Sequence, residues 1–324
     1  MTGRVRVAVV GAGDFGRHHA RVYSGLEGAE LAGVLDTNRA RAEAVAREFG
    51  AEPLSDLESV ARRAQAASVA VPTADHAAVA TWLLERGVDV LVEKPIASSV
   101  GQASQIIEAA ERRGRILQAG HVERFNPALE AAARIASGPL FFEVHRLGVF
   151  TPRSLDVDVV YDVMIHDLDI LLALAGTVSE VKAVGIPVVT DKVDIAHARL
   201  EFDTGAVANV TASRISTERV RKLRFFQRHE YISVDYARRD ALRIRAAEPG
   251  PPPRFEFEQL PVEDEEPLRA ELRAFLEAVR TRRTPVVDGR AGRDALVLAD
   301  RVMAAIAEHA RAVRAGAPEG QAAR

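Results

Sequence analysis

Residues 5–16 are VRVAVVGAGDFG, a short run of mostly β-branched apolar residues followed by glycines in the pattern Gly-x-Gly-x-x-Gly. The pattern alone has little specificity, but here it follows a predicted strand, Val5–Val10, and opens a predicted helix. In that context the glycines let the backbone approach a pyrophosphate, and the helix N-terminus offers free N–H groups and a positive dipole. The candidate cofactor residues of this segment are Gly11, Gly13, Asp14, Phe15 and Gly16.

A carboxylate follows the next predicted strand. Asp36 lies 20 residues after Gly16, at the end of Glu30–Leu35. A carboxylate at this place hydrogen-bonds a ribose 2′-hydroxyl and repels a 2′-phosphate, which predicts NAD rather than NADP as the cofactor. Arg39 and Arg41 keep NADP open, because either guanidinium could bind a 2′-phosphate. A structural glycine turn with a solvated aspartate is the alternative interpretation.

The first third of the chain alternates predicted strands and helices. Helical patterns of about 10–15 residues between strands predict a doubly wound parallel sheet of six strands, with ligands beyond the carboxyl ends of the strands. The strands with assigned bounds are Val5–Val10, Glu30–Leu35, Ser68–Val71, Asp89–Glu93 and Arg115–Ala119. The predicted helices include Asn38–Phe49, Asp75–Arg86 and Ser98–Arg113, and a capping-box signature from Ser55 to Glu58 opens a further short helix.

The ends of the fourth and fifth strands carry further candidate cofactor residues. Pro72 and Thr73 follow one strand, and Glu93 and Lys94, before a proline, end the other. The proline disfavours a helical conformation at Lys94, so its ammonium can project towards the nicotinamide half of a dinucleotide. A surface lysine that caps a strand is the alternative. His76, early in the following helix, is a candidate for cofactor contact or a plain helix residue.

Beyond residue 122 the pattern changes to successive strands. Asn126 and Pro127 predict a helix start, and Asp203–Gly205 predicts the turn of an antiparallel hairpin. We therefore predict an α/β dinucleotide-binding domain over residues 1–122, an α+β domain with a large, mostly antiparallel open sheet over residues 123–312, and a flexible tail over residues 313–324. The predicted elements are strands at Leu140–Phe150, Val178–Val189, Val193–Asp203, Ala206–Ser213, Val220–Phe226 and Tyr231–Asp235, and helices at Pro267–Arg282 and Gly289–Ala312.

One predicted helix, Val159–Ala175, is apolar around most of its circumference. At about 100° per residue, Asp162, His166 and Asp169 share one narrow face without Arg, Glu or Lys, which is typical of a face that lines a cavity. Asp162 and His166, one turn apart, can hydrogen-bond, which makes the imidazole a candidate base for an alcohol proton. A satisfied histidine at a domain interface is the alternative. Asp167 lies among the apolar residues, and the pattern gives no reason for it.

Composition narrows the class of protein. The 324 residues include 43 Lys and Arg against 46 Asp and Glu, a net charge of −3, so the cationic surplus typical of nucleic-acid binding is missing. The absence of cysteine excludes disulfides and thiolate chemistry, and the histidine spacing predicts no metal site. With no apolar run of membrane-spanning length and no signal peptide, we expect a cytoplasmic enzyme. Only 4 of the 43 basic residues are lysines, and Lys94 is one of them.

These motifs together resemble the Gfo/Idh/MocA family of sugar and inositol dehydrogenases, and the resemblance covers essentially the whole chain. It implies an N-terminal Rossmann domain, a C-terminal sheet that often mediates oligomerisation, a substrate cleft between the domains, and a homo-oligomer, dimer or tetramer. It also implies that Lys94, Asp162 and His166 are the catalytic set. The matching segments are the glycine-rich turn, Asp36, Pro72-Thr73, Glu93-Lys94-Pro95 and Asp162-x-x-x-His166.

Two further segments narrow the resemblance to a subgroup. GHVERFNP at residues 120–127 and YDVMIHDLD at residues 161–169 look like the UDP-N-acetylglucosamine 3-dehydrogenases. That subgroup prepares a 3-keto sugar for amination by a PLP aminotransferase in lipid A biosynthesis. Where the family often has a glycine-rich lead-in to the aspartate, this chain has Val-Val-Tyr at residues 159–161.

The resemblance implies that a hydride passes from the carbinol carbon to NAD⁺ while His166 removes the hydroxyl proton and Lys94 stabilises the oxygen. The alternatives are a dehydrogenase of a free sugar, an inositol or another UDP-sugar and, from a different class, a non-catalytic NAD(H)-sensing protein. The basic stretch Arg214–Arg228 predicts a solvated or interface strand, with contact to a UDP phosphate as the alternative. The candidates for binding diphosphate and sugar are Arg124, Asn126, Arg153 and Arg214.

Overall fold

The strand at Val5–Val10 lies near the middle of a six-stranded sheet in the computed structural model, which describes residues 3–151, 157–248 and 254–316. The strands are β1 Val5–Val10, β2 Ala29–Leu35, β3 Glu52–Pro53, β4 Ala66–Val69, β5 Asp89–Glu93 and β6 Leu117–Gly120. Their order is β3-β2-β1-β4-β5-β6 and each neighbouring pair is parallel, which confirms the predicted doubly wound sheet.

The helices of this sheet are found close to their predicted positions, with one shifted cap. The capping box is formed by Asp56 and Ser59, not by Ser55 and Glu58. Asp56 accepts from the Ser59 N–H at 2.7 Å, and the Ser59 hydroxyl oxygen accepts from the Asp56 N–H at 3.2 Å. The aspartate is an equally strong N-cap one residue later, so the helix begins one residue later. The helices are α1 Asp14–Ser24, α2 Arg39–Glu48, α3 Leu57–Arg63, α4 Thr73–Glu85 and α5 Val100–Arg113.

Two strands differ from their predicted bounds. β4 begins and ends two residues earlier than predicted, because it pairs with β1 from Ala66 to Val69. Alanine has little intrinsic preference for strands, so the pattern does not indicate Ala66 and Ala67. The shift makes Pro72 the N-cap of α4. The third strand, β3, has only two residues, and the sequence offered no bounds for it.

A helix from near the C-terminus completes the core beneath this sheet. In α8, Pro267–Thr281, the buried Leu272 and Phe275 join one apolar cluster with Val7 and Tyr23. The chain accordingly divides into unit 1, residues 1–125 and 265–296, and unit 2, residues 126–264 and 297–324. The sequence-based division left everything after residue 122 outside the first domain. It differs because an amphipathic helix pattern does not specify which core the apolar face covers.

Unit 2 contains an eight-stranded sheet. One interior pair, Phe141–Leu147 with Val207–Ser213, is parallel and the other neighbours are antiparallel, which confirms the predicted mostly antiparallel sheet. The turn predicted at Asp203–Gly205 joins two of these strands, with Gly205 at a φ of 85°. The strands are β7 Phe141–Leu147, β8 Val178–Ile186, β9 Ile195–Phe202, β10 Val207–Ser213, β11 Val220–Gln227, β12 Glu230–Asp235, β13 Asp240–Glu248 and β14 Arg254–Gln259. Their order in the sheet is β14-β13-β12-β11-β7-β10-β9-β8.

The sequence patterns do not predict β13 and β14. Their sequences, DALRIRAAE and RFEFEQ, carry Arg and Glu at alternate positions, and every residue of β14 is exposed. Charges of this kind are usual on edge strands, where they oppose aggregation, but they weaken the apolar signal on which strand prediction depends.

The basic stretch Arg214–Arg228 contains β11, in agreement with the predicted strand. Two of its cations face acids on neighbouring strands of the same sheet. Lys222 Nζ lies 3.6 Å from an Asp235 oxygen, and an Arg224 nitrogen lies 3.7 Å from a Glu143 oxygen. These two charges are therefore balanced within unit 2.

The helix predicted at Val159–Ala175 is not uniform. Val160–Met164 forms a π-helical turn, and the α-helix α7 covers only Ile165–Ala175. A π turn closes i→i+5 hydrogen bonds, so a wheel of constant angle does not apply across Asp162. The predicted common face of Asp162, His166 and Asp169 therefore rested on a wrong period, and Asp169 is buried.

The other helices of the second half are α6, Pro127–Arg134, with Asn126 as its N-cap as predicted, and α9, Gly289–Gly316. The predicted tail begins within α9, since the helix continues through Gly316, and residues 317–324 lie outside the described residues. Within the described parts of the chain, every helix is too short or too polar to cross a membrane.

A buried carboxylate organises the segment before β9. Asp194 Oδ2 accepts hydrogen bonds from the N–H groups of Val188, Val189 and Thr190 at 2.7, 2.7 and 2.9 Å. The Thr190 hydroxyl donates to Oδ1 at 2.8 Å, and Arg214 Nε lies 3.6 Å from the same oxygen. Burial alone would raise the pKa of Asp194, but the donors outweigh it and lower the pKa to about 2.

We expect Asp194→Asn to lower the free energy of unfolding by about 1.5–3 kcal/mol at neutral pH, because charge-assisted hydrogen bonds are lost. The folded pKa is about 2 against an ordinary value of 3.8, so the advantage of the wild-type protein is complete above the ordinary value and disappears as the pH falls towards 2. Denaturant unfolding at several pH values measures the difference. Asp191→Asn, an exposed neighbour, is the control. A difference that is independent of pH would contradict the assignment.

Candidate functional site

Each glycine at the carboxyl end of β1 is needed for a different reason. Gly11 has a φ of 99°, and a Cβ there would collide with the carbonyl oxygen of Ala70. A Cβ on Gly16 would collide with the carbonyl oxygen of Gly11, so α1 can approach the turn only because residue 16 has no side chain. At Gly13 the space that a Cβ would occupy is open. That space lies at the N-terminus of α1, where phosphates bind in dinucleotide folds.

Asp36, at the end of β2, is fixed by two backbone N–H groups. Its Oδ2 accepts from Ala12 and its Oδ1 from Asn38, each at 2.7 Å. An ionised carboxylate has about four acceptor positions, so acceptors remain for ribose hydroxyls. Arg41 lies 3.8 Å from Asp36, and Arg39 is ion-paired with a glutamate of α2. Both arginines that could bind a 2′-phosphate therefore already face acids, which favours NAD.

These residues border a crevice of about 890 Å³ in unit 1, here named the dinucleotide crevice. Its volume is in the range of ligand pockets. One wall carries apolar side chains that the motif analysis had not singled out, including Leu35, Leu54 and Val79. Leu35 ends β2, Leu54 directly follows β3 and Val79 lies in α4, and the sequence carries no motif that marks them as cofactor contacts. The predicted cofactor residues that line the crevice are Gly11, Gly13, Asp14, Phe15, Asp36 and Pro72.

The residues present fit a dinucleotide. The open position at Gly13 suits a pyrophosphate, the fixed carboxylate of Asp36 suits a ribose, and the apolar wall suits a base. Phe15, which is 60% exposed, adds an apolar ring beside the glycines. Thr73 begins α4 behind Pro72.

Lys94 follows the last residue of β5 and is half-buried. Its neighbour Glu93 does not line the dinucleotide crevice but is buried and accepts a hydrogen bond from His19 Nε2 at 2.9 Å. Burial alone would raise the pKa of Glu93, yet the His19 hydrogen bond and the nearby charge of Lys94 hold the pKa below its ordinary value. A Cβ on Gly120 would lie 2.9 Å from the Glu93 Cα, so β6 leaves room for this carboxylate. His19 was not predicted as a site residue, because its spacing from other residues in the sequence matches no motif.

His76 is buried in the wall behind the dinucleotide crevice and does not reach its surface. Its Nδ1 lies 2.9 Å from the Pro95 carbonyl oxygen and its Nε2 lies 2.9 Å from that of Val71. Burial lowers the pKa of His76, and the two carbonyls oppose that effect. A neutral imidazole donates to only one carbonyl at a time, so His76 bonds either the segment after β4 or the segment after β5. Contact between His76 and a cofactor stays a prediction.

In unit 2, Asp162 lies in the π turn and His166 in the first turn of α7, and both side chains are half-buried. Asp167, which the sequence pattern did not explain, is buried in a bidentate ion pair with Arg146 of β7. The strand pattern contained a signal for that partner. Arg146 follows Phe142 and Val144 at alternate positions of β7, so it occupies the buried face.

The predicted diphosphate and sugar ligands have different surroundings. Asn126 is buried, caps α6 and donates to the Tyr236 carbonyl oxygen at 3.2 Å. Arg214 is buried beside Asp194 and donates to the Val157 carbonyl oxygen. These contacts give both residues roles within unit 2 that compete with ligand binding. Arg124, on a short 3-10 helix in unit 1, is half-buried, and Arg153 lies outside the described residues.

Among the described residues, no three His, Cys, Asp or Glu side chains are grouped as metal ligands.

Comparisons with known proteins agree with this geometry. A model of an oxidoreductase family with an NAD-binding Rossmann fold matches residues 5–121, and a model of the GFO/IDH/MocA C-terminal domain matches residues 143–229. The chain belongs to the Gfo/Idh/MocA family. It is an NAD-dependent oxidoreductase acting on CH–OH groups, which confirms the predicted family, enzyme class and cofactor.

Two relatives illustrate the range of the family. The UDP-N-acetylglucosamine 3-dehydrogenase of Acidithiobacillus ferrooxidans is 38% identical over 307 residues, which cover 93% of this chain and 97% of that protein. The scyllo-inositol 2-dehydrogenase (NAD(+)) of Bacillus subtilis is 32% identical over 238 residues, which cover 67% of this chain and 69% of the relative.

Solved structures show the same fold. The structure of the Acidithiobacillus ferrooxidans enzyme matches with a TM-score of 0.88 at 36% identity and covers 94% of this chain and 98% of its own. A levoglucosan dehydrogenase in complex with NADH matches with a TM-score of 0.86 at 19% identity, over 94% of this chain and 97% of its own, and at that identity it shows the fold alone.

We expect Asp36→Asn to weaken NADH binding about 10- to 100-fold, since a charge-assisted hydrogen bond contributes about 1.5–3 kcal/mol. The variant should also bind NADPH better relative to NADH, because the repulsion of a 2′-phosphate is removed. Fluorescence titration with both cofactors measures the two dissociation constants. Asp75→Asn, which removes a charge elsewhere along the dinucleotide crevice, is the matched control. An unchanged NADH/NADPH ratio in Asp36→Asn would remove this residue from cofactor selection.

Proposed function

We propose that this protein oxidises the C3 hydroxyl of UDP-N-acetylglucosamine to a ketone, with NAD⁺ as the hydride acceptor. The observation that carries the proposal is the 38% identity to a UDP-N-acetylglucosamine 3-dehydrogenase across 93% of the chain. The motif positions of Lys94, Asp162 and His166 support it. The reaction converts a secondary alcohol and NAD⁺ into a ketone, NADH and one proton.

Bound NAD⁺ would accept the hydride. Side chains of the protein would remove the hydroxyl proton and stabilise the negative charge on the oxygen. His166 takes the hydroxyl proton on an imidazole nitrogen as the carbinol C–H bond breaks. Lys94 hydrogen-bonds the same oxygen and stabilises its negative charge until the carbonyl forms. Asp162, which precedes His166 by four residues, accepts from the imidazole N–H and stabilises the protonated ring.

The half-buried position of Lys94 supports its role. A lysine ammonium is a compact charge on a flexible stem and can direct one N–H at a single oxygen, whereas a guanidinium presents a planar fork. Glu93, held as an anion by its hydrogen bond with His19, adds negative charge next to the ammonium. The chain has 39 arginines and 4 lysines, and we propose that position 94 requires lysine because an arginine could not replace its hydrogen bond to the reacting oxygen.

A second candidate substrate is an inositol or a free sugar. The scyllo-inositol 2-dehydrogenase, 32% identical over 67% of the chain, supports it. The chemistry at the carbinol is the same, so only the substrate distinguishes the two proposals.

The product suggests a partner reaction. A 3-keto nucleotide sugar is a substrate for transamination, so we propose that a PLP aminotransferase consumes it, as the lipid A route would require. Oxidation of an alcohol by NAD⁺ is unfavourable at neutral pH, and removal of the ketone would pull the reaction forward. Since NAD and nucleotide sugars are metabolites of the cytoplasm, we propose that the protein works there.

We also propose that the protein forms a homo-oligomer through the sheet of unit 2. Neighbouring strands place six apolar residues in one row across the sheet, here named the apolar stripe. Phe257 in this row is 70% exposed, and the rings of Phe226 and Tyr231 lie 5.0 Å apart. The stripe consists of Val207, Phe141, Phe226, Tyr231, Ile244 and Phe257.

The occupant we propose for the apolar stripe is the same face of a second copy. The charges beside it are of both signs and already paired, as between Arg224 and Glu143 and between Lys222 and Asp235. A face without net charge does not repel its own copy across a two-fold axis, whereas a single-sign face would.

The catalytic proposal predicts that His166→Gln lowers kcat about 10²- to 10⁴-fold, the usual contribution of a general base. Lys94→Arg should lower kcat about 10²-fold or more although the charge is kept. NADH affinity, measured by fluorescence, should remain unchanged in His166→Gln. The controls are His309→Gln and Lys182→Arg, which change the same residue types at exposed positions. Wild-type turnover in either catalytic variant would exclude that residue from the mechanism.

Substrate identity is tested by incubating the protein with NAD⁺ and a panel of UDP-sugars, free sugars and inositols while NADH is followed. A PLP 3-keto-sugar aminotransferase with glutamate serves as the trap for the ketone. We expect NADH from UDP-N-acetylglucosamine, increased by the trap. Turnover of an inositol alone would establish the second candidate, and NADH binding with no turnover of any substrate would favour the sensing alternative.

The oligomer proposal predicts that Tyr231→Glu combined with Phe257→Glu yields monomers, because carboxylates would be buried against a like surface. Sedimentation velocity measures the mass. Val313→Glu is the control, since it changes another exposed apolar residue of unit 2 that is not in the apolar stripe. An unchanged mass in the double variant would show that the interface lies elsewhere.

A further inference from the structure

Two opposite charges are buried together in unit 2 and are not used by the proposed chemistry. The Arg146 and Asp167 side chains are 6% and 1% exposed. Arg146 Nε donates to Asp167 Oδ2 at 2.7 Å, and a terminal nitrogen donates to Oδ1 at 2.8 Å. The pair is therefore bidentate, the geometry that fixes both planes relative to each other.

The arginine is itself held from the other side. Its guanidinium carbon lies 5.0 Å from the centre of the Tyr236 ring, and Tyr236 is 4% exposed. A cation at this distance from an aromatic ring is attracted to it. Arg146 also belongs to β7, which lies between β10 and β11 in the interior of the sheet. The anchor for Asp167 is thus a central strand and not a mobile surface group.

The helix at the other end of the pair has an unusual beginning. α7 starts directly after the π turn at Val160–Met164. A π turn adds a residue to a helical turn, so it changes the rotation of everything that follows. Asp167 is in the first turn of α7, directly after His166. A bidentate bond to Asp167 at this point adds a directional constraint on the rotation of α7 to the packing of its buried apolar residues.

Energetics argue against a purely stabilising role. Replacing a buried ion pair by apolar side chains of similar size is often neutral or stabilising, because the desolvation of two charges is avoided. Apolar contacts, however, permit small rotations that two parallel hydrogen bonds in one plane do not. The charge pair is therefore better suited to fixing an orientation than to adding stability.

We propose that Arg146 and Asp167 are positioning residues for His166: their bidentate pair fixes the rotation of α7 and with it the direction of the imidazole. The inference rests on the proposed role of His166 as the base. The pair touches neither substrate nor cofactor in this mechanism; it acts through the helix.

The test separates orientation from stability with a double variant, Arg146→Met with Asp167→Leu, which removes both charges and keeps apolar packing. We expect its melting temperature to stay near that of the wild-type protein, its NADH affinity to be unchanged, and its kcat to fall about 10- to 100-fold, the effect of a small misplacement of a catalytic group. The KM should change much less than kcat. A folded double variant with wild-type kcat would overturn the proposal.

A second measurement does not depend on the substrate. In protein labelled with ¹⁵N-histidine, the His166 imidazole resonances, assigned with His166→Gln, report the orientation and tautomer of the ring. We expect them to shift or broaden in the double variant. If the wild-type protein turns over none of the offered sugars, the proposed function fails, yet a shifted resonance still supports positioning and an unchanged one still overturns it.

Two further variants complete the design. Arg146→Lys keeps the charge but loses the bidentate fork, and it should show the same loss of kcat in milder form, so it serves if the double variant fails to fold. The matched control is Arg243→Met with Glu230→Leu, which removes an ion pair between β12 and β13. It should leave kcat and the His166 resonances unchanged. Equal losses in this control would also overturn the proposal.

Discussion

The cofactor half of this protein depends on the close approach of three backbone segments where β1 ends. The turn at Gly11 touches the chain after β4 at Ala70, and the first turn of α1 touches Gly11 at Gly16. Neither approach tolerates a β-carbon. Because these contacts are between backbones, they set the position of the α1 N-terminus without any side chain, and the crevice beside it remains open for a ligand. Asp36 then ties the same turn to β2 through the N–H of Ala12.

Unit 1 is organised by glycines that allow close backbone contacts, whereas unit 2 is organised by buried carboxylates. Asp194 collects backbone N–H groups before β9, and Asp167 is held by Arg146 beside His166. In each case a buried carboxylate is stabilised by fixed hydrogen-bond donors. Asp194 therefore fixes the course of the backbone before β9, and Asp167 anchors the helix that carries the proposed catalytic histidine, although neither carboxylate reacts.

The sequence predicted those parts of the molecule in which local chemistry decides the outcome. Gly11, Gly16 and Asp36 belong to a pattern that becomes specific when a strand precedes the glycines and a helix follows them, and the order of strands and helices followed from periodicity. The uniform wheel over Val159–Ala175 was wrong because a π turn leaves no mark in apolar periodicity. Arg146 and Asp167 each occupied a buried position in the patterns, with opposite signs, but single-element patterns cannot show that two such residues meet. His19 was missed for the same reason.

Because α8 belongs to unit 1, the path of the chain affects the order in which the cores can form during synthesis. Helix α8 supplies Leu272 and Phe275 to the core under the parallel sheet, next to Val7 and Tyr23 near the N-terminus. The strands of that sheet are all synthesised by residue 120, but their apolar cluster stays uncovered until residue 281 has left the ribosome. The whole sheet of unit 2 emerges in the meantime. The dinucleotide-binding unit, although first in sequence, therefore cannot complete its core until the sheet of unit 2 has been synthesised, and a nascent chain would expose an apolar surface that chaperones can recognise.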